Sequence, residues 1–180
     1  MKRVTLQDKT FELFIPYEQI QSSVQQLADR INRDYADKPV PLFLGVLNGS
    51  FMFMAELMKR IGFACEMSFV KLASYRGTSS TGKVSELIGL TDNLQGRDII
   101  VVEDIVDTGE SIDHLMRSLV GHRPASIEVA TLLFKPSAYK KEVEIRYPAI
   151  SIPNDFIVGF GLDYNQLGRN LCDIYKIVNE

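Results

Sequence analysis

The stretch Val101-Val102-Glu103-Asp104-Ile105-Val106-Asp107-Thr108-Gly109-Glu110-Ser111 decides how this chain is read. Ile99 to Val102 are β-branched without interruption, the composition of a strand covered on both faces, and predict a strand over 98–102. Glu103 and Asp104 then sit where that strand reaches its C-terminal edge, which is where open α/β sheets bind ligands. Next, 107–111 leads into a helix carrying Ile112, Leu115, Met116 and Leu119, closed by Gly121 and Pro124. Backbone N–H groups at that helix start, with the hydroxyls of Thr108 and Ser111, can converge on an anion, and phosphate is the natural guest. One element thus places acidic groups suited to a cation and sugar hydroxyls beside donors suited to a phosphate. The combination fits a phosphorylated sugar with a metal-bound leaving group. On pattern alone, a capped helix after an ordinary strand is the competing reading.

Outward from this segment the signals alternate. Ile20, Val24, Leu27 and Ile31 recur at helical spacing between Pro16 and Tyr35, after a short N-terminal segment. Residues 41–47 form an apolar run broken only by Gly45 and read as a buried strand; Asn48-Gly49-Ser50 supplies a turn and a candidate helix cap. Phe51, Met54, Leu57, Met58 and Ile61 predict a second helix, closed by Gly62. Strands are predicted over 67–72, 127–134 and 156–160. Residues 74–84 are polar, aperiodic and glycine-containing, which predicts a long mobile loop of the kind that serves as a lid. Strands alternating with helices predict an α/β fold, a mainly parallel twisted sheet flanked by helices.

Composition narrows the class. At 180 residues and 46% hydrophobic content the chain can build one substantial core, so a single domain is expected. A net charge of −3 disfavours nucleic acid or an anionic membrane as the main partner. Cys65 and Cys172 are the only cysteines, too few for a disulfide framework and without metal-ligand spacing, and are expected to be buried free thiols. Asp8, Lys9 and Glu12 interrupt the N-terminal region, so no signal-peptide core forms, and no stretch approaches transmembrane length. A cytoplasmic setting is expected.

The 101–111 segment resembles the phosphoribosyl pyrophosphate (PRPP) signature of type I phosphoribosyltransferases, and the rest resembles their hypoxanthine-guanine branch. Residues 44–50, Ser74-Tyr75, Leu133-Phe134-Lys135-Pro136 and the stretch 152–169 follow in the family's order, so the resemblance covers the chain from about residue 40 onward. It implies a sheet core with a small hood, formed by the N-terminal segment and about 136–180, which covers the base. It further implies transfer of a phosphoribosyl group from PRPP to hypoxanthine or guanine, giving IMP or GMP and pyrophosphate, with magnesium as cofactor. A homodimer or homotetramer is common in the family.

Residue by residue, the resemblance gives Glu103 and Asp104 the ribose hydroxyls or the metal between them, and Asp107 the purine N7 as general base. Asp107, Thr108, Gly109, Glu110 and Ser111 wrap the 5′-phosphate mostly through backbone N–H groups, so the Glu110 carboxylate need not point inward. Lys135, at a strand end, is on general grounds a surface lysine; the resemblance makes it a donor to purine O6, which separates 6-oxo from 6-amino bases. Phe156 is by default a core aromatic, whereas the resemblance stacks it on the purine, with the Ile157 backbone reading the base edge. Asp163 matches a carboxylate serving a second magnesium, with nearby carbonyls facing the purine 2-substituent, and Arg169 matches a pyrophosphate-binding arginine. Asn48 and Gly49 correspond to a pyrophosphate loop that often has a lysine at the place of Asn48 and a cis peptide before it; sequence does not reveal the peptide's geometry. Ser74 and Tyr75 match a mobile loop that excludes water from the reaction centre.

Rival motifs are weaker. Gly77 to Lys83 fits G-x-x-x-x-G-K, but Val84 cannot supply the hydroxyl that follows it, and 84–90 looks more like strand than helix. Gly159-x-Gly161 lacks the third glycine of a dinucleotide fingerprint. A phosphorylated receiver domain would draw its acidic residues from separate early strands. An RNA-binding regulator on the same fold is the non-enzymatic alternative, and within the enzymes a xanthine- or guanine-preferring member is the runner-up.

Overall fold

A computed structural model describes residues 2–73, 86–88 and 93–178. In chain order the elements are β1 (Arg3–Leu6), β2 (Lys9–Ile15), α1 (Tyr17–Tyr35), β3 (Leu42–Leu47), α2 (Phe51–Met58), β4 (Glu66–Ala73), β5 (Glu86–Ile88), β6 (Asp98–Val106), α3 (Glu110–Val120), β7 (Ser126–Phe134), β8 (Tyr147–Ser151), β9 (Ile157–Val158) and β10 (Ile174–Ile177). The main sheet has the order β5-β4-β3-β6-β7-β8. All its neighbours pair in parallel except β5, which runs antiparallel to β4. A second, antiparallel sheet of order β1-β2-β10-β9 joins the two ends of the chain. The predicted α/β architecture is the observed one.

Period-two alternation divides the main sheet's side chains between two cores. Phe43, Ile100, Val102 and Ala130 pack with Ile20, Val24, Leu27 and Ile31 of α1 and with Phe53 and Leu57 of α2. Leu42, Leu44, Ile99, Val101 and Val129 pack with Ile112, Leu115 and Leu119 of α3. Each of the larger side chains among these contributes about 1.5–3 kcal/mol on burial, so β3 and β6 form a rigid base for the loops beyond them. From β3 the chain moves to β4 on one side; from β6 it moves to β7 on the other. Chain direction across the sheet therefore reverses between β3 and β6, and a crevice opens beyond their C-terminal ends.

Several boundaries depart from the sequence reading. Strand β6 continues to Val106 because its pairing with β7 persists to Val106↔Phe134, so Glu103 and Asp104 lie within the strand. Helix α2 ends at Met58, where Arg60 N–H donates to the Leu57 carbonyl and Ile61 N–H to that of Met58. Asn32 of α1 then binds the Arg60 carbonyl and the Gly62 N–H, satisfying groups that a longer helix would have used. Ser50 does not cap α2 with its side chain; its hydroxyl donates to the Val46 carbonyl at 2.6 Å. The strand predicted over 156–160 is only Ile157–Val158, since Gly159 has φ +102° and turns the chain away. Phe156 is not core but 47% exposed. The thiols are not buried either: Cys172 is exposed and Cys65 half-buried. The hydrophobic spacing predicts none of β1, β2, β8 and β10; Pro148 argues against a strand in general, and is accommodated because β8 is an edge. The Ser74-Tyr75 pair and the 77–83 glycine-lysine motif lie outside the described residues.

Candidate active site

Three adjoining depressions fill the crevice, and all of them touch Ile105. The first lies between β3 and β6 and is lined by Leu47, Gly49, Glu103, Asp104 and Ser111, among others. Running from Ile105 to Ile112, the second follows the loop into α3. The third is lined by Asp104, Asp107, Lys135, Phe156, Ile157 and Asp163, together with Ile105 and Leu162. Glu103, Asp104 and residues 107–111 thus share one cleft with Gly49, Lys135, Phe156, Ile157 and Asp163.

The acidic pair stands just past the last β3 partner of β6, Gly45↔Val102, with Gly49 against the Asp104 carboxylate, and it is buried: Glu103 is 8% and Asp104 9% exposed. Burial pushes the Glu103 carboxyl well above its usual range, and the Asp104 charge beside it adds to the effect. Burial also raises Asp104, against hydrogen bonds from Glu103 and the Ile105 N–H that favour its charged form. Among the described residues Glu103 Oε2 is buried without a hydrogen-bond partner. Such an orphaned oxygen beside a second carboxylate suits a divalent cation or a pair of hydroxyls. Among the described residues no three His, Cys, Asp or Glu side chains converge, so any metal here would need oxygens from its substrate. That arrangement suits magnesium, which typically takes one or two carboxylates and completes its shell with phosphate oxygens and water.

The loop after β3 presses directly on this pair. Asn48 is exposed, Gly49 is buried, and the Leu47–Asn48 peptide is cis. A Cβ on Gly49 would lie 1.6 Å from Asp104 Oδ2, so only glycine lets the backbone approach the carboxylate. From the other side Gly161, at φ +100°, stacks on the Gly49 carbonyl. Arg169 holds Gly161 in place, donating to its carbonyl at 2.8 Å while the Gly161 N–H donates to the Arg169 carbonyl. The same guanidinium pairs with Asp163 at 2.6 Å, and the Gln166 N–H also donates to Asp163.

The start of α3 is free of side-chain caps. Its N-cap residue is Gly109 at φ +86°, which offers no side chain to compete for the first-turn N–H groups. Glu110 turns outward, 73% exposed, and pairs with Lys141 at 2.7 Å. Its charge is thereby held away from the place an anion would take. Behind the loop, Lys140 N–H donates to the Thr108 carbonyl, and the Tyr139 ring lies where a Cβ on Gly109 would stand. The buttress has no local sequence signal, because its contacts join positions some thirty residues apart.

In the third depression Lys135 is 6% exposed and its ammonium lies 2.8 Å from Asp107 Oδ2. The Lys135 N–H donates to the Val106 carbonyl, continuing the β6·β7 ladder by one bond and so setting the lysine opposite the acidic loop. Asn154 Oδ1 also accepts from the ammonium, at 3.2 Å. Phe156 packs edge-on against Tyr164, with ring centroids 6.0 Å apart, and leaves much of its surface open. Ile157 is 5% exposed, and its backbone is held in the smaller sheet by β10.

A parallel sheet whose switch-point crevice joins buried carboxylates, an uncapped helix start and a lysine–aspartate pair defines the class. The profile of the phosphoribosyl transferase domain matches residues 16–165. Hypoxanthine-guanine phosphoribosyltransferase of Streptococcus pyogenes serotype M3 is 47% identical over 149 residues, 82% of each chain. A crystal structure of a Bacillus anthracis hypoxanthine-guanine phosphoribosyltransferase superposes with a TM-score of 0.84 at 34% identity, covering 93% of this chain and 98% of that one. A Trypanosoma cruzi hypoxanthine phosphoribosyl transferase, solved in work on how its C-terminal region bears on oligomeric state and activity, gives 0.86 at 28% identity, covering 97% and 95%. The chain belongs to the phosphoribosyl transferase family, in its hypoxanthine-guanine phosphoribosyltransferase branch.

Proposed function

We propose that this protein transfers the phosphoribosyl group of PRPP to hypoxanthine or guanine, forming IMP or GMP and releasing pyrophosphate. The observation that carries the reading is the Lys135–Asp107 pair, set 2.8 Å apart in the same cleft as the buried Glu103–Asp104 pair. A 6-oxopurine presents an acceptor at O6 beside a nitrogen at N7, and this lysine and aspartate offer a donor and a base to match. An adenine amino group cannot accept from Lys135.

In this reading Thr108, Gly109, Glu110 and Ser111 hold the 5′-phosphate through backbone N–H groups, helped by the α3 dipole. Glu103 and Asp104 hold the ribose diol, and their burial makes each bond to it stronger than it would be in water. Gly49 and Asn48 lend backbone N–H groups to the pyrophosphate, and Arg169 its guanidinium. Bound magnesium would neutralise charge on the departing pyrophosphate; Glu103, Asp104 and Asp163 are the residues to hold it, with substrate oxygens. Asp107 accepts the N7 proton of the base, and Lys135 stabilises charge that gathers on O6. Phe156 covers one purine face, and the Ile157 backbone and the carbonyls near Asp163 read its far edge. The smaller sheet, built from the N-terminal strands and the segment after 136, serves as a hood over the base.

A cytoplasmic enzyme that assembles as a homodimer or homotetramer fits this role; among the described residues no helix is long and apolar enough to cross a membrane. The test is to incubate purified protein with magnesium, PRPP and each purine in turn and measure nucleotide formed. IMP and GMP formation with no AMP is the expected result. Turnover of adenine at a comparable rate would overturn the assignment of Lys135, and turnover of no base would overturn the reaction.

A further inference from the structure

Lys135 has three N–H donors and almost no contact with water, so each donor needs a partner within the protein or the ligand. Asp107 takes one and Asn154 another, leaving a third for the cleft. In a base-bound state the Asp107 carboxylate is wanted at N7, and its side chain, 44% exposed, has room to turn there. Lys135 then loses its ionic partner. A four-carbon side chain held by nothing would lose its direction, because the lysine stem has several rotatable bonds and a point charge with no preferred plane.

We propose that Asn154 is the positioning residue that keeps the Lys135 ammonium aimed at O6 after Asp107 has turned to N7. The inference rests on the base-binding role given to this depression above. Its support is geometric. Ile152 N–H donates to the Phe134 carbonyl at 2.8 Å, extending the β7·β8 pairing past Phe134↔Ser151 and bringing the 152–154 segment over the end of β7, where Lys135 stands. Asn154 therefore reaches Lys135 from a backbone anchored to that same strand. It also precedes Phe156 by two residues, so one short segment carries both the anchor for the lysine and the ring facing the base compartment.

The residue type matters as much as the place. Asparagine accepts from the ammonium without cancelling its charge, so the full positive charge remains to meet the negative charge that develops on O6. A carboxylate at 154 would hold the lysine as firmly but would quench that charge. Positioning and charge can thus be separated by two substitutions at a site whose residue is exposed, where the fold tolerates change.

The experiment compares the parent protein, Asn154→Ala and Asn154→Asp in steady-state assays with hypoxanthine and PRPP, alongside calorimetric titration with IMP. For Asn154→Ala the KM for hypoxanthine and the Kd for IMP should each rise about tenfold, the scale of one hydrogen bond to a charged group, with the KM for PRPP within about twofold. For Asn154→Asp the KM for hypoxanthine should stay near the parent value while kcat falls about tenfold. Parent-like constants for Asn154→Ala overturn the proposal. So does an equal rise in both substrates' KM, which marks general damage, or a kcat for Asn154→Asp equal to the parent's. A parent that binds IMP without turning over any base refutes the reaction, while the IMP titration still decides the role of Asn154. A parent that neither reacts nor binds IMP overturns both.

Discussion

Gly161 stacks on Gly49 so closely that a Cβ on Gly161 would lie 2.0 Å from the Gly49 carbonyl oxygen. The contact joins the loop after β3 to the segment carrying Asp163 and Arg169, and Arg169 ties it from the far side. Gly161→Ala adds a side chain at φ +100° as well as this clash, and both must be relieved by moving backbone. A loss of about 2 kcal/mol or more in urea unfolding is expected, with PRPP turnover falling at least about tenfold. Parent-like stability would show that the two loops are not packed as described.

Glu103 makes stability fall as pH rises. Its folded-state pKa is raised above the unfolded value by burial and the neighbouring Asp104, so the native state binds more protons once the unfolded carboxyl begins to ionise. No penalty exists below the ordinary carboxylate range, and it grows as pH climbs toward the elevated folded value. Glu103→Gln should flatten that decline and raise the ligand-free melting midpoint at neutral pH by about 2–4 °C, equivalent to about 1 kcal/mol in a domain of this size. Its gain on adding magnesium and PRPP should be smaller than the parent's. Melting scans across pH decide this, and a variant less stable than the parent at neutral pH would contradict it.

Asp107→Asn keeps the shape of the base compartment but removes the proton acceptor and the charge facing Lys135. Turnover should fall about 10²–10⁴-fold, with the PRPP dissociation constant changed far less. Single-turnover measurement with hypoxanthine separates the two, and near-parent chemistry in the variant would remove Asp107 from the role of base.

Glu110→Ala should do little. The carboxylate is solvent-exposed and bound to Lys141 at the surface, so its loss should shift stability by no more than about 0.5 kcal/mol and the PRPP KM by less than about twofold. A tenfold rise in that KM would mean that the side chain, rather than the backbone, serves the phosphate.

The two hydrophobic periods in the sequence are enough to read α1, β3, β6, α3 and β7, because helical spacing repeated over several turns in α1 and α3, and apolar runs buried on both faces in the strands, leave little ambiguity. Shorter strands escaped. In β2 the alternation of Phe11 and Leu13 with Thr10 and Glu12 is broken by the apolar Phe14 before Ile15, and β8 contains Pro148, which only its edge position excuses. Within the cleft, the adjacency of Glu103, Asp104 and Asp107 was legible because one strand and its loop carry them all. The Asn154–Lys135 bond, the Tyr139 buttress and the Gly49–Gly161 stack were not, since each joins segments that pair only after folding.

By itself the sequence determined the longer elements and the donors: hydrophobic spacing set the central strands and the helices, and the 101–111 segment carried carboxylates, hydroxyls and a glycine at one helix start. Tertiary structure decided how those groups behave. Burial at the end of β6, with the loop after β3 pressed on Asp104, took Glu103 and Asp104 out of water and raised their proton affinity. The β6·β7 register set Lys135 against Asp107, and the pairing with Lys141 turned Glu110 toward solvent. Such properties depend on desolvation and on distances between remote segments, quantities that exist only once the chain has closed on itself.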